Sequence, residues 1–383
     1  MWSERSAVDA RENRVSRALR EARACGRRVL DLTVSNPTTS GLPYDLEGLS
    51  VALRDAGTAP YRPEPLGLAS AREAVARELS AGGPPLSADD VLLTSSTSEA
   101  YGFAFKLLCD PGDRVLVPEP SYPLLSHLAR LESVELVPYR LRYDGAWHVD
   151  RTTLRIDSRT RAVVIINPNN PTGHFIDRGD LAAIEALGLP LIADEVFASY
   201  PLNTSSRDVR AARVAGSVLS LTLGGLSKLA GLPQLKCAWL GLAGPPAQVA
   251  VARERLELIA DTYLSVSTPV QVALPRLLES KDVTAGAIRE RIRENLEALQ
   301  RGLAGSAASV LHVGGGWTAV LQLPDTLEDE AWVLALLLAD VWVQPGFLYD
   351  FEHPSYVVVS LLTPSETLQE GVGCLVRVVG DRA

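Results

Sequence analysis

Four lysines serve a chain of 383 residues that otherwise meets its need for positive charge with arginine, and two of them, Lys228 and Lys236, stand close together in "GGLSKLAGLPQLK". A lysine amine can lose its proton and attack a carbonyl, which a guanidinium cannot do. Three further segments carry groups that complement such an amine. Asn170 lies in "NPNNPTG", Asp194 closes "LPLIAD", and Thr97 and Ser98 stand where "LLTSSTSEAYGFAFKLL" passes from strand into helix. Together they offer a nucleophile, a carboxylate, an amide donor and a helix N-terminus able to take an anion. Each also has a plainer reading. Glu99 behind serine and threonine spells an ordinary helix cap, the prolines of NPNNPTG fix a turn, and an aspartate after a strand often caps a helix.

Short apolar runs at 114–118, 134–139, 162–167, 189–194, 217–223 and 237–243 alternate with helix-length segments such as "SYPLLSHLARLE" and "DRGDLAAIEALG". Strands buried on both faces and joined by helical crossovers make a parallel α/β sheet. Asn170, Asp194 and Lys228 each end or follow such a strand, so they project from the carboxyl rim, where parallel sheets bind ligands. After about residue 270 the texture changes to a long amphipathic helix, "DVTAGAIRERIRENLEALQRGLAG", then "HVGGGWTAVLQLP", a second helix "EDEAWVLALLLAD", and the strand-like "VWVQPG" and "YVVVSLL". The expected fold class is α/β: a large domain with a mostly parallel sheet flanked by helices, plus a smaller α+β domain. The expected divisions are an N-terminal segment 1–44 packing on the small domain, a large domain 45–270 and a small domain 271–383.

An amine, a carboxylate, an amide and an anion site on one rim are the parts needed to run pyridoxal phosphate. The amine makes the Schiff base, the carboxylate keeps the pyridine nitrogen protonated, the amide donates to the ring hydroxyl, and the helix end takes the phosphate. Six motifs then stand in one order: "YRPEPLGLASAREAVA" (61–76), "TSSTSEA" (94–100), "DPGDRVLVPEPSYP" (110–123), "NPNNPTG" (167–173), "ADEVF" (193–197) and "GLSKLAGLPQLK" (225–236). On these the chain resembles the class I/II aminotransferases of fold type I, the aspartate-aminotransferase-like group, from about residue 30 to the C-terminus.

The resemblance implies a pyridoxal-phosphate enzyme that moves an amino group from an amine or amino acid to a keto acid or aldehyde by a ping-pong cycle. It places Lys228 as the Schiff-base lysine and general base, Asp194 at the pyridine nitrogen, Asn170 at the ring oxygen, Tyr122 stacked on the ring, and Thr97 and Ser98 in the phosphate loop. Tyr61 matches a tyrosine that reaches the phosphate of a neighbouring subunit, which implies a homodimer with shared sites. A β-lyase or racemase on the same fold shares the steps up to proton abstraction. A non-catalytic sensor of the cofactor would need a DNA-binding domain, for which the N-terminal residues are too few.

Four positions depart from the family pattern. Lys236 stands where an arginine usually grips the phosphate, so a bidentate clamp becomes a point charge, or else a surface lysine. Gly225 replaces a serine that often holds the phosphate, and Phe197 replaces a tyrosine that commonly donates to the ring oxygen. Val358 stands where an arginine clamps the substrate α-carboxylate. An unpaired carboxylate in a dry pocket is costly, so either another group binds it or the substrate has none there. Arg62 and Gln344 are the candidate substitutes, with Ser35 and Trp317 as further substrate contacts. Trp317, Phe347, Tyr349, Phe351 and Tyr263 either line an apolar pocket or belong to the core.

A net charge of −9 and the lack of basic runs interleaved with aromatics argue against nucleic acid as a partner. No apolar stretch approaches the ~20 residues of a membrane span, and the N-terminus lacks a signal-peptide core. A cytoplasmic protein acting on small molecules is expected. Cys25, Cys109, Cys237 and Cys374 form no CxxC pair and the histidines are scattered, so neither disulfides nor a metal site is expected.

Overall fold

Ala162, Val164 and Ile166 turn to one side of their strand and Val163 and Ile165 to the other, and each set is buried in a different apolar cluster. That is why the run reads as continuously apolar: helices cover both faces of the sheet it belongs to. The computed structural model describes residues 2–7, 12–56, 60–81, 85–205, 217–353 and 355–382. Its strands are β1 Leu30–Asp31, β2 Val91–Thr94, β3 Arg114–Glu119, β4 Glu135–Tyr143, β5 Trp147–Val149, β6 Thr160–Ile166, β7 Leu191–Asp194, β8 Ser220–Gly225, β9 Ala238–Ala243, β10 Ser309–Val310, β11 Thr318–Gln322, β12 Val341–Trp342, β13 Gln344–Pro345 and β14 Tyr356–Ser360.

The large sheet has the order β2-β9-β8-β7-β6-β3-β4-β5. From β8 to β4 every pairing is parallel. Asp194, the last residue of β7, pairs with Ile166 on one side and Leu223 on the other, so three strand ends meet at one rim. The run at 237–243 reads as one more parallel strand, but β9 is antiparallel to both β8 and β2. The link from β8 to β9 holds only a four-residue helix and one 3-10 turn, so the chain doubles back where a crossover helix would have carried it round. At the opposite edge β4 and β5 form an antiparallel hairpin.

The smaller sheet is antiparallel, in the order β10-β11-β14-β13. Behind it the helix Asp282–Leu303 contributes Ile288, Ile292, Leu296 and Leu299, at helical spacing, to a core shared with Leu368, Val372, Leu375 and Val379 of the helix Ser365–Gly380. Leu30 and Leu32 join this core, and β1 pairs in parallel with β12, so the early part of the chain is stitched to the smaller layer.

Candidate active site

Lys228 follows the end of β8 by one turn, within the short helix Leu226–Leu229. Tyr200, fully buried, donates its hydroxyl to the Lys228 carbonyl at 2.5 Å and holds that turn from behind. The Nζ lies 4.9 Å from the ring centroid of Trp317 and 5.5 Å from that of Phe197. Those rings meet edge to face at 5.3 Å. Burial in this aromatic setting lowers the amine's pKa, opposed in part by the charge of Asp194. A lysine so placed gives up its proton more readily than a surface one and can act as nucleophile or base. The glycine before the helix also has a reason: a Cβ on Gly225 would lie 2.9 Å from that of Ala238 on β9.

Asp194 shares the cavity. It accepts from the Tyr101 hydroxyl at 3.0 Å and from the Val196 N–H at 3.2 Å. Burial nevertheless pushes its carboxyl up to about 6, against the lowering effect of those two hydrogen bonds and of Lys228. Tyr122, just past β3, keeps 45% of its surface exposed. Asn170 follows β6 in the turn after Asn167, and its Oδ1 is buried without a partner.

Ser96 caps the helix Thr97–Leu108 by accepting from the Glu99 N–H at 3.1 Å, and Glu99 reaches back to the Ser95 N–H at 2.7 Å. This resembles a capping box, except that the glutamate reaches one residue beyond the N-cap, to Ser95. With the cap supplied by Ser96, the side chains of Thr97 and Ser98 line the cavity, as does Ser227. The ordinary cap and the anion cradle are therefore adjacent residues of one helix start.

The cleft measures about 1150 Å³ including its open mouth. It brings together Lys228, Asp194, Asn170, Tyr122, Thr97, Ser98, Phe197 and Gly225 with Ser35, Trp317 and Gln344, all singled out from sequence, and adds Thr33, Ser227, Thr318 and Ser360. Three sequence candidates do not line it. Tyr61, 71% exposed, and Arg62 line a separate depression with Phe103, Leu264 and Gln271. Lys236 is exposed, in a left-handed conformation (φ 49°) that ends the 3-10 turn Pro233–Leu235. Of the aromatics considered for an apolar pocket, Trp317 and Tyr349 line the cleft. Phe351 instead packs against Trp147 and Tyr356, Tyr263 packs against Phe103, and Phe347 is partly exposed.

Residues 28–375 match the family described as aminotransferase class I and II. The chain belongs to that family. An alanine aminotransferase of Mycobacterium tuberculosis is 33% identical over 381 residues, covering 91% of this chain and 84% of its own. The Escherichia coli glutamate-pyruvate aminotransferase AlaA is 32% identical over 260 residues, 66% of this chain and 64% of its own. The solved structure of an alanine aminotransferase from Pyrococcus furiosus has the same fold, with a TM-score of 0.88 at 24% identity over the whole of both chains.

The protein is thus a pyridoxal-phosphate-dependent transaminase acting on amino acids and keto acids. The residues of this aminotransferase's cleft fit the cofactor. Among the described residues Asp194 forms no ion pair, and a raised carboxyl pKa is what a buried carboxylate shows when its cationic partner is missing. A protonated ring nitrogen is such a partner. The Asn170 side chain makes no hydrogen bond among the described residues, so its NH2 end is free to donate to a ring oxygen and its Oδ1 to accept from a bound group. Tyr101 and Tyr200, which hold Asp194 and Lys228, were not marked by any motif. Only the spacing of Tyr101, one helical turn after Thr97 and so on the same face, could have pointed to it.

Proposed function

We propose that the cleft around Lys228 is where transamination takes place, with Lys228 as the residue that carries the cofactor and moves the proton. The observation that carries this reading is that a half-buried, pKa-lowered amine and a half-buried carboxylate of raised pKa line one cleft at the carboxyl rim of one sheet. Pyridoxal phosphate, when bound, supplies an aldehyde for amines to condense with and a ring that accepts electron density. Asp194, braced by Tyr101, would stabilise a positive charge at the ring nitrogen. Asn170 would donate to the ring oxygen and Tyr122 would contact the ring. Thr97, Ser98, Ser227 and the start of the helix Thr97–Leu108 would receive the phosphate. With the cofactor bound, Lys228 would take the proton from the substrate carbon bearing the amino group and deliver it on the cofactor side of the same nitrogen, while the Trp317 and Phe197 rings keep water from its amine.

The phosphate end is incomplete within one chain, because no arginine lines the cleft among the described residues and Lys236 lies outside it. Tyr61, exposed on its own chain, completes the site of a second copy in our reading, which makes the working unit a homodimer with shared sites. Four free cysteines suit a reducing cytoplasm, and no described helix is long and apolar enough to cross a membrane. By analogy with its relatives, the enzyme interconverts small amino acids such as alanine with their keto acids.

The test is a spectroscopic screen of the holoenzyme against amines and amino acids, following loss of the visible cofactor band and its return on adding pyruvate or 2-oxoglutarate. Bleaching that reverses with a keto acid supports the proposal. Steady release of ammonia and keto acid with no acceptor present would contradict it.

A further inference from the structure

Position 358 is occupied by a buried valine whose strand neighbours are in direct register, Val320 on one side and Gln344 on the other. Directly opposed residues of an antiparallel pair share a face with their Cβ atoms about 5 Å apart. Gln344 therefore stands beside Val358, and it lines the cleft where Val358 does not. Among the described residues, Lys228 is the one cation in the lining.

The hydroxyls of this wall are turned inward. Thr318 donates to the Pro171 carbonyl at 2.9 Å, Ser360 to the Val34 carbonyl at 2.6 Å, and Thr33 to the Asp31 carboxylate at 2.6 Å. Their protons are committed, and Ser360 Oγ also accepts from the Leu362 N–H at 3.2 Å, so what these hydroxyls have left to offer the cleft is lone pairs. Tyr349 donates to the Gln344 Oε1. An amide whose oxygen is held in this way turns its NH2 end elsewhere, and among the described residues no protein group accepts from it. On this wall of acceptors Gln344 Nε2 is a free donor placed beside position 358, with the unpartnered Trp317 Nε1–H elsewhere in the lining.

We propose that Gln344, oriented by Tyr349, binds the carboxyl end of the substrate as a neutral hydrogen-bond donor, so that this enzyme reads a carbonyl oxygen and not an anion. Amino acid amides are then amine donors on a par with the amino acids themselves. The inference rests on the reading of the Lys228 cleft as the active site. An arginine fork binds a carboxylate by paired, charge-assisted hydrogen bonds and discriminates against a neutral amide. A single carboxamide donor offers either group one hydrogen bond; the bond to a carboxylate is the stronger, but the anion also costs more to desolvate when no cation faces it, so the two effects oppose each other. In this arrangement Gln344 is a binding residue and Tyr349 a positioning residue.

The experiment measures single-turnover reduction of the holoenzyme's visible band by matched pairs: alanine and alaninamide, phenylalanine and phenylalaninamide, glutamate and its 1-amide. The wild type converts the members of each pair with efficiencies within about tenfold of each other, a span that lies well inside what polar recognition can impose. Gln344→Leu lowers acid and amide together. Gln344→Glu, nearly isosteric and so safe for the fold, lowers the acids more than tenfold beyond the amides by charge repulsion. Tyr349→Phe raises the apparent dissociation constant of both substrates while leaving the limiting rate and the holoenzyme spectrum unchanged, which a general loss of structure would not do. Val358→Arg restores a preference for acids. A wild-type preference for acids above a hundredfold that survives Gln344→Leu overturns the proposal while leaving transamination intact. So does a preference that disappears only in Arg62→Ala, which would put a charged clamp on that residue. Failure of every acid and amide to bleach the band overturns the reading of the cleft as well.

Discussion

Tyr200 donates a 2.5 Å hydrogen bond to the main-chain carbonyl of Lys228, and its ring meets Trp317 edge to face at 5.2 Å. One buried side chain thus fixes both the backbone of the lysine and the aromatic wall beside its amine. Tyr200→Phe keeps the packing and leaves the Lys228 carbonyl with only the backbone N–H groups of the following turn, so it should cost about 1 kcal/mol of stability, read from urea melts. With Lys228 less firmly held, kcat should fall several-fold while cofactor content at saturation stays the same. A variant as stable and as fast as the wild type would show that the bond positions nothing.

Asp194 makes the apoprotein's stability depend on pH in a defined direction. Its carboxyl is raised from 3.8 to about 6 in the fold, so between these values the native state binds the proton that the unfolded state has released. Unfolding free energy therefore falls as pH rises through that window, by at most about 3 kcal/mol for roughly two pKa units. Asp194→Asn should flatten the profile between pH 4 and 6 and leave the apoprotein about 2–3 kcal/mol more stable than wild type near pH 7. It should also weaken cofactor binding. Urea melts of both apoproteins across that range check the sign. A wild-type profile that rises with pH in parallel with the variant's would contradict it.

The start of the helix Thr97–Leu108 divides into a structural and a binding half. Ser96→Ala removes the cap and should cost about 1 kcal/mol of stability with little change in cofactor affinity. Thr97→Val with Ser98→Ala removes two hydroxyls from the cleft and should weaken cofactor binding by tenfold or more, with melting temperature of the apoprotein nearly unchanged. Equilibrium titration and thermal melts on the same two proteins separate these effects.

Much of the large sheet was readable from its apolar runs, because strands covered on both faces leave a continuous signal, as residues 162–166 do. Direction was not readable. Nothing in "CAWLGLA" says that β9 runs antiparallel, since an apolar strand packs equally well either way and the reversal is set by the short link before it. The rim residues Asn170, Asp194 and Lys228 were legible because a strand end, unlike a loop, fixes where a side chain projects. Tyr101 and Tyr200 were not, since contacts between Tyr101 and Asp194, or between Tyr200 and Lys228, join elements far apart in the chain and carry no periodicity. The departure at Val358 was visible in sequence, whereas the committed hydroxyls of Thr318 and Ser360, and the Tyr349 bond that orients Gln344, required the geometry of the small sheet.

Which amine carries the cofactor decides the role of every other residue in the cleft. The holoenzyme should be treated with borohydride, which makes the cofactor linkage permanent, then digested and mapped by peptide mass spectrometry. With four lysines in the chain, Lys106, Lys228, Lys236 and Lys281, the outcome is discrete. The pyridoxyl phosphate label should sit on the peptide containing Lys228 alone and be lost in Lys228→Ala, together with nearly all turnover. Label on Lys236, or undiminished transamination by Lys228→Ala, would contradict it.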